Sequence, residues 1–182
     1  MSIKDFQTIS RLGEGSYSSV WKVKRKSDGQ EYAMKKVKLS TLNQKEKENA
    51  LNEVRILASI KNPHIISYKD AFLDENATTL CIIMEYAAGG DTYQKIQQLQ
   101  KTRQFMKEED IWRIFYHMVK GLKALHQMKI LHRDLKCANV FLSKDEKLVK
   151  LGDLNVSKVV KNSLAHTQTG TPYYASPEVW RD

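Results

Sequence analysis

Proline and cysteine are scarce in this chain of 182 residues, which has three prolines, two cysteines and only eight glycines. That composition excludes a collagen-like or low-complexity chain. Cys81 and Cys137 lie far apart with no Cys-x-x-Cys pairing, so a reduced intracellular protein is expected rather than a disulfide scaffold. Long apolar runs are also missing. The longest, Leu80-Cys81-Ile82-Ile83-Met84, is ended by Glu85, and roughly 20 apolar residues are needed to cross a bilayer. No transmembrane helix is expected. The start, Met1-Ser2-Ile3-Lys4-Asp5, lacks the apolar core of a signal peptide, and Ser2 stands where myristoylation needs glycine. No internal repeat is found.

What is present has an ordinary globular balance, 41% hydrophobic and 28% charged, at a size that suits one domain or two lobes. The net charge is +9, from 30 Lys+Arg against 21 Asp+Glu, and such a surface can attract nucleic acid or acidic lipid. The lysines are spread along the chain, however. Lys22 to Lys26 and Lys35 to Lys38 fall in strand-like alternation, and Lys45 and Lys47 in a helix-like run, so they read as solvated faces. Neither a nucleic-acid nor a membrane partner is expected.

The order is strands first, helices later. Phe6 to Leu12, Val20 to Lys24 and Glu31 to Val37 alternate as strands of an antiparallel meander, with a turn at Ser27-Asp28-Gly29-Gln30. Gln44 to Ile60 has helical spacing, with Ala50, Ile56, Leu57 and Ile60 on or beside one face. Glu53 shares that face and calls for a cationic partner. Asn62-Pro63 ends the helix. Ile65 to Leu73 and Thr79 to Glu85 read as two further strands, and Ala87-Ala88-Gly89-Gly90 as a boundary. Asp91 to Arg103 and Glu108 to Met128 read as helices. In the second of these, Ile111, Phe115, Met118, Leu122 and Leu125 form an expected core face, and Glu108, Glu109 and Asp110 suit the positive end of the helix dipole. Val140 to Leu142 and Leu148 to Leu151 are short strand-like pieces. From Gly152 on, the chain reads mostly as loop.

Five constellations carry chemistry. Gly13-Glu14-Gly15-Ser16-Tyr17-Ser18-Ser19-Val20 lies between two strands, where glycines let the backbone approach phosphates or simply make a turn. It is neither a Walker loop nor a Rossmann turn. Lys35, paired with Glu53, could be structural or could bind phosphate. His132-Arg133-Asp134-Leu135-Lys136-Cys137-Ala138-Asn139 crowds an acid, an amine and an amide into one loop. Asp153-Leu154-Asn155 places a carboxylate after a strand, where it can hold Mg²⁺. The fifth is Gly170-Thr171-Pro172-Tyr173-Tyr174-Ala175-Ser176-Pro177-Glu178.

In this order the motifs resemble a eukaryotic protein kinase, from about Phe6 to the last residues. Lys136 and Gly-Thr-Pro-Tyr-Tyr resemble the serine/threonine branch, and Thr167 to Glu178 with His132 to Leu142 look most like NIMA-related kinases. The resemblance implies an α+β, bilobal kinase-like fold: residues 1–86 as a small antiparallel sheet lobe with one helix, and 87–182 as a partial, mainly helical lobe.

It further implies ATP and Mg²⁺ as cofactors and phosphoryl transfer to serine or threonine hydroxyls of protein substrates. Gly13, Glu14, Gly15 and Ser16 would cover the phosphates. Lys35, held by Glu53, would bind the α- and β-phosphates. Asn139 and Asp153 would hold the metal. Asp134 would accept the substrate hydroxyl proton, Lys136 would approach the transferring phosphate, and Thr171 would brace both. Leu12, Val20 and Ala33 would pack on the adenine, with Met84 behind it and backbone around Glu85 and Ala87 hydrogen-bonding it. Arg133 would meet a phosphorylated activation-loop residue, placed by an activating kinase or by the protein itself. Thr167 is the first candidate, before Ser163 and Thr169. By family resemblance, partners include microtubule or ciliary proteins, and the expected location is cytoplasmic, at the cytoskeleton or cilium.

Three departures stand out. Ser18 replaces the third glycine of the loop. Asp-Leu-Asn replaces Asp-Phe-Gly, with Asn155 among the residues that best tolerate positive φ. The sequence stops at Asp182, four residues past Glu178, so a fragment of a longer kinase is expected, with Phe115, Met118 and Leu122 exposed as an aggregation hazard. A nucleotide-binding pseudokinase or scaffolding module is the alternative reading. A basic nucleic-acid binder is a third, which no motif supports.

Overall fold

The turn Ser27–Gln30 closes the second long hairpin, over residues 18–38. Gly29 has φ +68, a left-handed conformation that suits glycine, and its N–H donates to the Arg25 carbonyl at 2.8 Å. Arg25 Nε and the Tyr32 hydroxyl both donate to Asp28 Oδ2, at 2.9 and 3.0 Å. The Arg25 guanidinium beside Asp28 holds its carboxyl well below the usual carboxylate range. The computed structural model describes residues 1–15, 18–39, 47–48, 51, 54–55, 58–132, 134–153, 172–174 and 176–177. These fall into two units. Of the described residues, the first takes in those up to Lys61 together with Ser67–Tyr86, and the second takes in Asn62–Ile66 and those from Ala87 to Asp153.

The first unit is an antiparallel sheet of five strands, β1 (Phe6–Glu14), β2 (Ser18–Arg25), β3 (Glu31–Lys38), β4 (Tyr68–Leu73) and β5 (Thr79–Glu85). Their spatial order is β1-β2-β3-β5-β4. The first three strands form the expected meander. Strands β3 and β5 lie inside the sheet and bury both faces. One face gathers Phe6, Val23, Tyr32, Met34, Cys81 and Ile83. On the other, Ala33, Lys35 and Val37 stand opposite Met84, Ile82 and Leu80. The expected strand from Ile65 is corrected. Strand β4 begins at Tyr68, and Ile65 instead makes an isolated parallel bridge to Leu151. The apolar run Ile65-Ile66 reads as strand, but its backbone partners belong to the second unit. Of the expected helix over residues 44–60, the described residues 47–48, 51, 54–55 and 58 are helical. Glu53, Ala50, Ile56 and Leu57 lie outside the described residues.

The second unit carries α1 (Thr92–Lys101), α2 (Glu108–Gln127) and the hairpin β6 (Val140–Leu142) with β7 (Val149–Leu151). Asp91 caps α1 by accepting the Gln94 N–H at 2.9 Å. The buried stripe of α2 is centred on Gly121 and Leu125. A Cβ at Gly121 would meet the His64 carbonyl oxygen at 2.7 Å and Leu151 Cδ1 at 2.9 Å, so glycine is required there for close packing. Of the expected core face of α2 only Leu125 is fully covered among the described residues, while the expected exposure is seen in full at Phe115 and in part at Met118 and Leu122. Leu125 is fully buried, but Ile111 is 51% and Phe115 56% exposed, with Met118 and Leu122 in between. Apolar residues occupy more than one side of this helix, since Trp112, Tyr116 and Val119 are exposed too, and spacing alone does not tell which side is covered. No helix among the described residues is long and apolar enough to cross a membrane.

Candidate functional site

In the sheet unit, Lys35 lies in the middle of β3, opposite Val20 on β2 and Ile82 on β5. It is 6% exposed, with the apolar Ala33, Val37, Leu80, Ile82 and Met84 around it on the same face. Strand alternation places it there, because Ala33 and Val37 point the same way. Ala33 is buried at its side, opposite Met84.

Gly13 and Glu14 end β1, paired with Val20 and Ser19 of β2. The Gly15 N–H donates to the Ser18 carbonyl at 2.7 Å, closing the hairpin. Neither glycine is demanded by the fold. A Cβ at Gly13 would meet nothing within 4 Å, and one at Gly15 only Ser18 at 3.6 Å or beyond. What a side chain would obstruct is the open space beside the backbone, which suits close approach by a phosphate. Glu14 pairs with Arg11 at the edge. Leu12 is 44% exposed and Val20 is half-buried. Ser16 lies outside the described residues. The Glu85 N–H is already spent on the Ser67 carbonyl at 2.9 Å, and the Ser67 N–H returns to Glu85 Oε2 at 3.3 Å.

In the helical unit, the loop before β6 gathers an acid, an amine and an amide. Asn139 is 5% exposed. Its Nδ2 donates to the Asp134 carbonyl at 2.7 Å and to Asp134 Oδ2 at 3.0 Å. Lys136 Nζ lies 3.1 Å from the same Oδ2. Both contacts fall on one carboxylate oxygen, which fixes the direction of the other, Oδ1. The two acceptors also set the orientation of the Asn139 amide and turn its Oδ1 away from Asp134.

Asp153 follows β7 directly. The Gly152 N–H donates to the Asn139 carbonyl at 2.9 Å, so the residue before Asp153 is tied to Asn139. Asp153 has φ +52, in the left-handed region that aspartate tolerates better than most residues. Positive φ therefore falls on Asp153 itself, while Leu154 and Asn155 lie outside the described residues. A carboxylate and an amide oxygen on tethered neighbours are the hard donors a divalent cation takes, so these residues fit such an ion.

Two contributors carried no role in the sequence reading. His132 is 3% exposed, and its Nε2 lies 3.0 Å from the Gly152 carbonyl. A carbonyl only accepts, so Nε2 carries the proton. Burial pushes the pKa of this ring down, which keeps it neutral. Thr92 donates from Oγ1 to the Cys137 carbonyl at 2.7 Å. The histidine stood inside the quoted motif. Nothing in the spacing of the sequence marks Thr92. Arg133, Ser163, Thr167, Thr169, Thr171 and Glu178 lie outside the described residues, and Ala87 is half-buried at the start of the second unit.

Comparison with known proteins gives one family, described as "Protein kinase domain", matched over residues 6–182. A protein of Dictyostelium discoideum named "Probable serine/threonine-protein kinase nek2" is 41% identical over 95% of this chain and 42% of its own length. The mouse "Serine/threonine-protein kinase Nek2" is 39% identical over 97% of this chain and 41% of its own length. The rice "Serine/threonine-protein kinase Nek6" is 36% identical over 99% of this chain and 33% of its own length. The chain thus spans about two fifths or less of the length of these relatives.

Proposed function

The chain belongs to the protein kinase domain family, and from that premise we propose that the protein transfers the γ-phosphoryl group of ATP to serine or threonine hydroxyls of other proteins. The observation that carries this reading is the Asp134 carboxylate, held through Oδ2 by Asn139 at 3.0 Å and Lys136 at 3.1 Å. That leaves Oδ1 to meet a substrate hydroxyl and take its proton as attack proceeds. Lys136 also supplies positive charge near the phosphoryl oxygens, where charge develops.

Lys35 places an ammonium between Val20 and Ile82 on the sheet, where it neutralises the ATP phosphates. Gly13 and Gly15 keep the backbone open for them. Asn139, through Oδ1, and Asp153 hold Mg²⁺. When bound, Mg²⁺ screens phosphate charge and orients the transferred group. Glu53 as the partner of Lys35, Thr171 as a brace for Asp134 and Thr167 as an activating phosphosite complete the proposal. We place the protein inside the cell, on the ground that Cys81 and Cys137 are both free thiols.

The test is Mg²⁺-dependent transfer of labelled γ-phosphate to a serine-bearing protein, wild type against Asp134→Asn. Loss of the general base and its charge should lower the rate by roughly 100-fold or more. Equal rates in the two proteins would overturn the reading.

A further inference from the structure

We propose that Thr92 is a positioning residue for the loop that carries Asp134, a proposal that rests on the kinase reading. Thr92 is the first residue of α1 and is 5% exposed. A buried hydroxyl is costly unless it is bonded. Its own helix gives it no task, because Asp91 already serves as the cap. Its Oγ1 instead reaches the Cys137 carbonyl, 45 residues away in sequence, at 2.7 Å.

That carbonyl opens a single 3-10 turn, Cys137–Asn139, and also accepts the Val140 N–H. The Asn139 N–H closes the turn on the Lys136 carbonyl at 2.9 Å. Lys136 and Asn139 are the two side chains that hold Asp134 Oδ2. The hydroxyl therefore pins the turn that joins both. The ties from the segment before α1 are backbone bonds: Gly89 N–H to the Leu142 carbonyl at 3.0 Å, Leu142 N–H to the Gly90 carbonyl at 2.8 Å, and the Asp91–Phe141 bridge. They attach the same stretch to β6 but stop short of the turn. Thr92 extends the attachment to it with a side-chain bond. A shift of about 1 Å in a reacting group can cost on the order of 100-fold in rate, so this single bond has leverage on turnover.

The experiment compares Thr92→Val, Thr92→Ser and Thr92→Ala with wild type in the full chain. Valine keeps the shape and removes the donor, serine keeps the donor, and alanine serves if valine fails to fold. With the donor gone, kcat is expected to fall by about tenfold, less than the roughly 100-fold of a full 1 Å displacement, because the Cys137 carbonyl keeps the Val140 N–H. KM for ATP should stay within about twofold, since uniform binding is untouched. Serine should restore kcat. Thr102→Val, at an exposed hydroxyl bonded only within and just beyond α1, should behave as wild type.

Amide hydrogen exchange at Asn139 and Val140 gives a second readout, expected to quicken in the valine and alanine proteins and to recover in the serine protein. Unchanged kcat and exchange without the donor, or an equal loss in the serine protein, would overturn the proposal. If wild type transfers no more phosphate than Asp134→Asn, the kinase reading fails by itself. Exchange then decides whether Thr92 holds the turn: faster exchange without the donor supports that role, and unchanged exchange ends it.

Discussion

The imidazoles of His64 and His117 lie with ring centroids 4.4 Å apart, and both address the backbone of Val149. His64 Nδ1 is 3.3 Å from the Val149 carbonyl, and the Val149 N–H donates to His117 Nδ1 at 3.3 Å. The roles follow from the partners: His64 carries its proton on Nδ1, and His117 keeps Nδ1 bare. His117, which must accept at Nδ1, is thereby required to be neutral there, at the place where residues 62–66, α2 and β7 meet within the second unit.

Acid should therefore loosen this unit. Burial first, then His64, Arg113 and Lys120, push the His117 pKa down, and burial does the same to His132. Unfolded histidine titrates near about 6.5. Above that pH both states are neutral and stability is unaffected. As the pH falls through 6.5 toward the folded values, the unfolded chain takes up protons that the folded one refuses, and stability declines. Urea midpoints at pH 7.5 and 5.5 check this, with a lower midpoint expected in acid. His117→Asn, whose amide oxygen can accept the same N–H, should shrink the drop and leave the share due to His132. Identical wild-type midpoints would refute the account.

Two glycines should separate folding from ligand binding. A Cβ at Gly152 would lie 2.6 Å from Phe141 Cε2 and 2.9 Å from Ile66 Cγ1, so Gly152→Ala should cost about 1–3 kcal/mol of stability by overpacking. At Gly13 the added carbon meets nothing within 4 Å. Gly13→Ala should then change stability by no more than about 0.5 kcal/mol while weakening ATP. Denaturant titration and nucleotide-binding calorimetry on both proteins give the comparison. Equal effects on stability would contradict it.

Lys35→Met should remove the charge proposed to meet the ATP phosphates while keeping a chain of similar length. ATP affinity is expected to fall by about tenfold or more, the order of a charge-assisted bond lost from a buried setting. Fluorescent-nucleotide titration reads this directly, and unaltered affinity would take Lys35 out of the phosphate site.

Asn139→Ala should be among the most damaging changes. It removes the two Nδ2 bonds to Asp134, leaving only Lys136 of the two side chains on Oδ2, and the amide oxygen proposed for Mg²⁺. Activity should drop by roughly 100-fold or more, and raising Mg²⁺ should recover only part of it, because the Asp134 geometry stays broken. Full recovery at high Mg²⁺ would mean that the amide serves the metal alone.

Much of this arrangement is legible in residue order. Alternation around Lys35 reveals its face, and the turn at Asp28-Gly29 sets the hairpin, because both depend on local chemistry. The clustering of Asp134, Lys136 and Asn139 follows from their spacing within one loop. What escapes is what the chain settles at a distance. Ile65-Ile66 has strand-like residues, yet the Ile66 N–H donates to the Leu151 carbonyl at 2.8 Å. Phe115 has the spacing of a core residue and is exposed, because Gly121 draws the other side of α2 against His64 and Leu151. Thr92 carries no local signal, since its partner is Cys137.

The bond from the Glu85 N–H to the Ser67 carbonyl matters for chemists who would block this protein. A purine-like inhibitor that aims an acceptor at the Glu85 amide meets a donor already engaged at 2.9 Å and must first break a strand contact. A compound directed at this strand end therefore has to take its contacts from groups other than the Glu85 N–H.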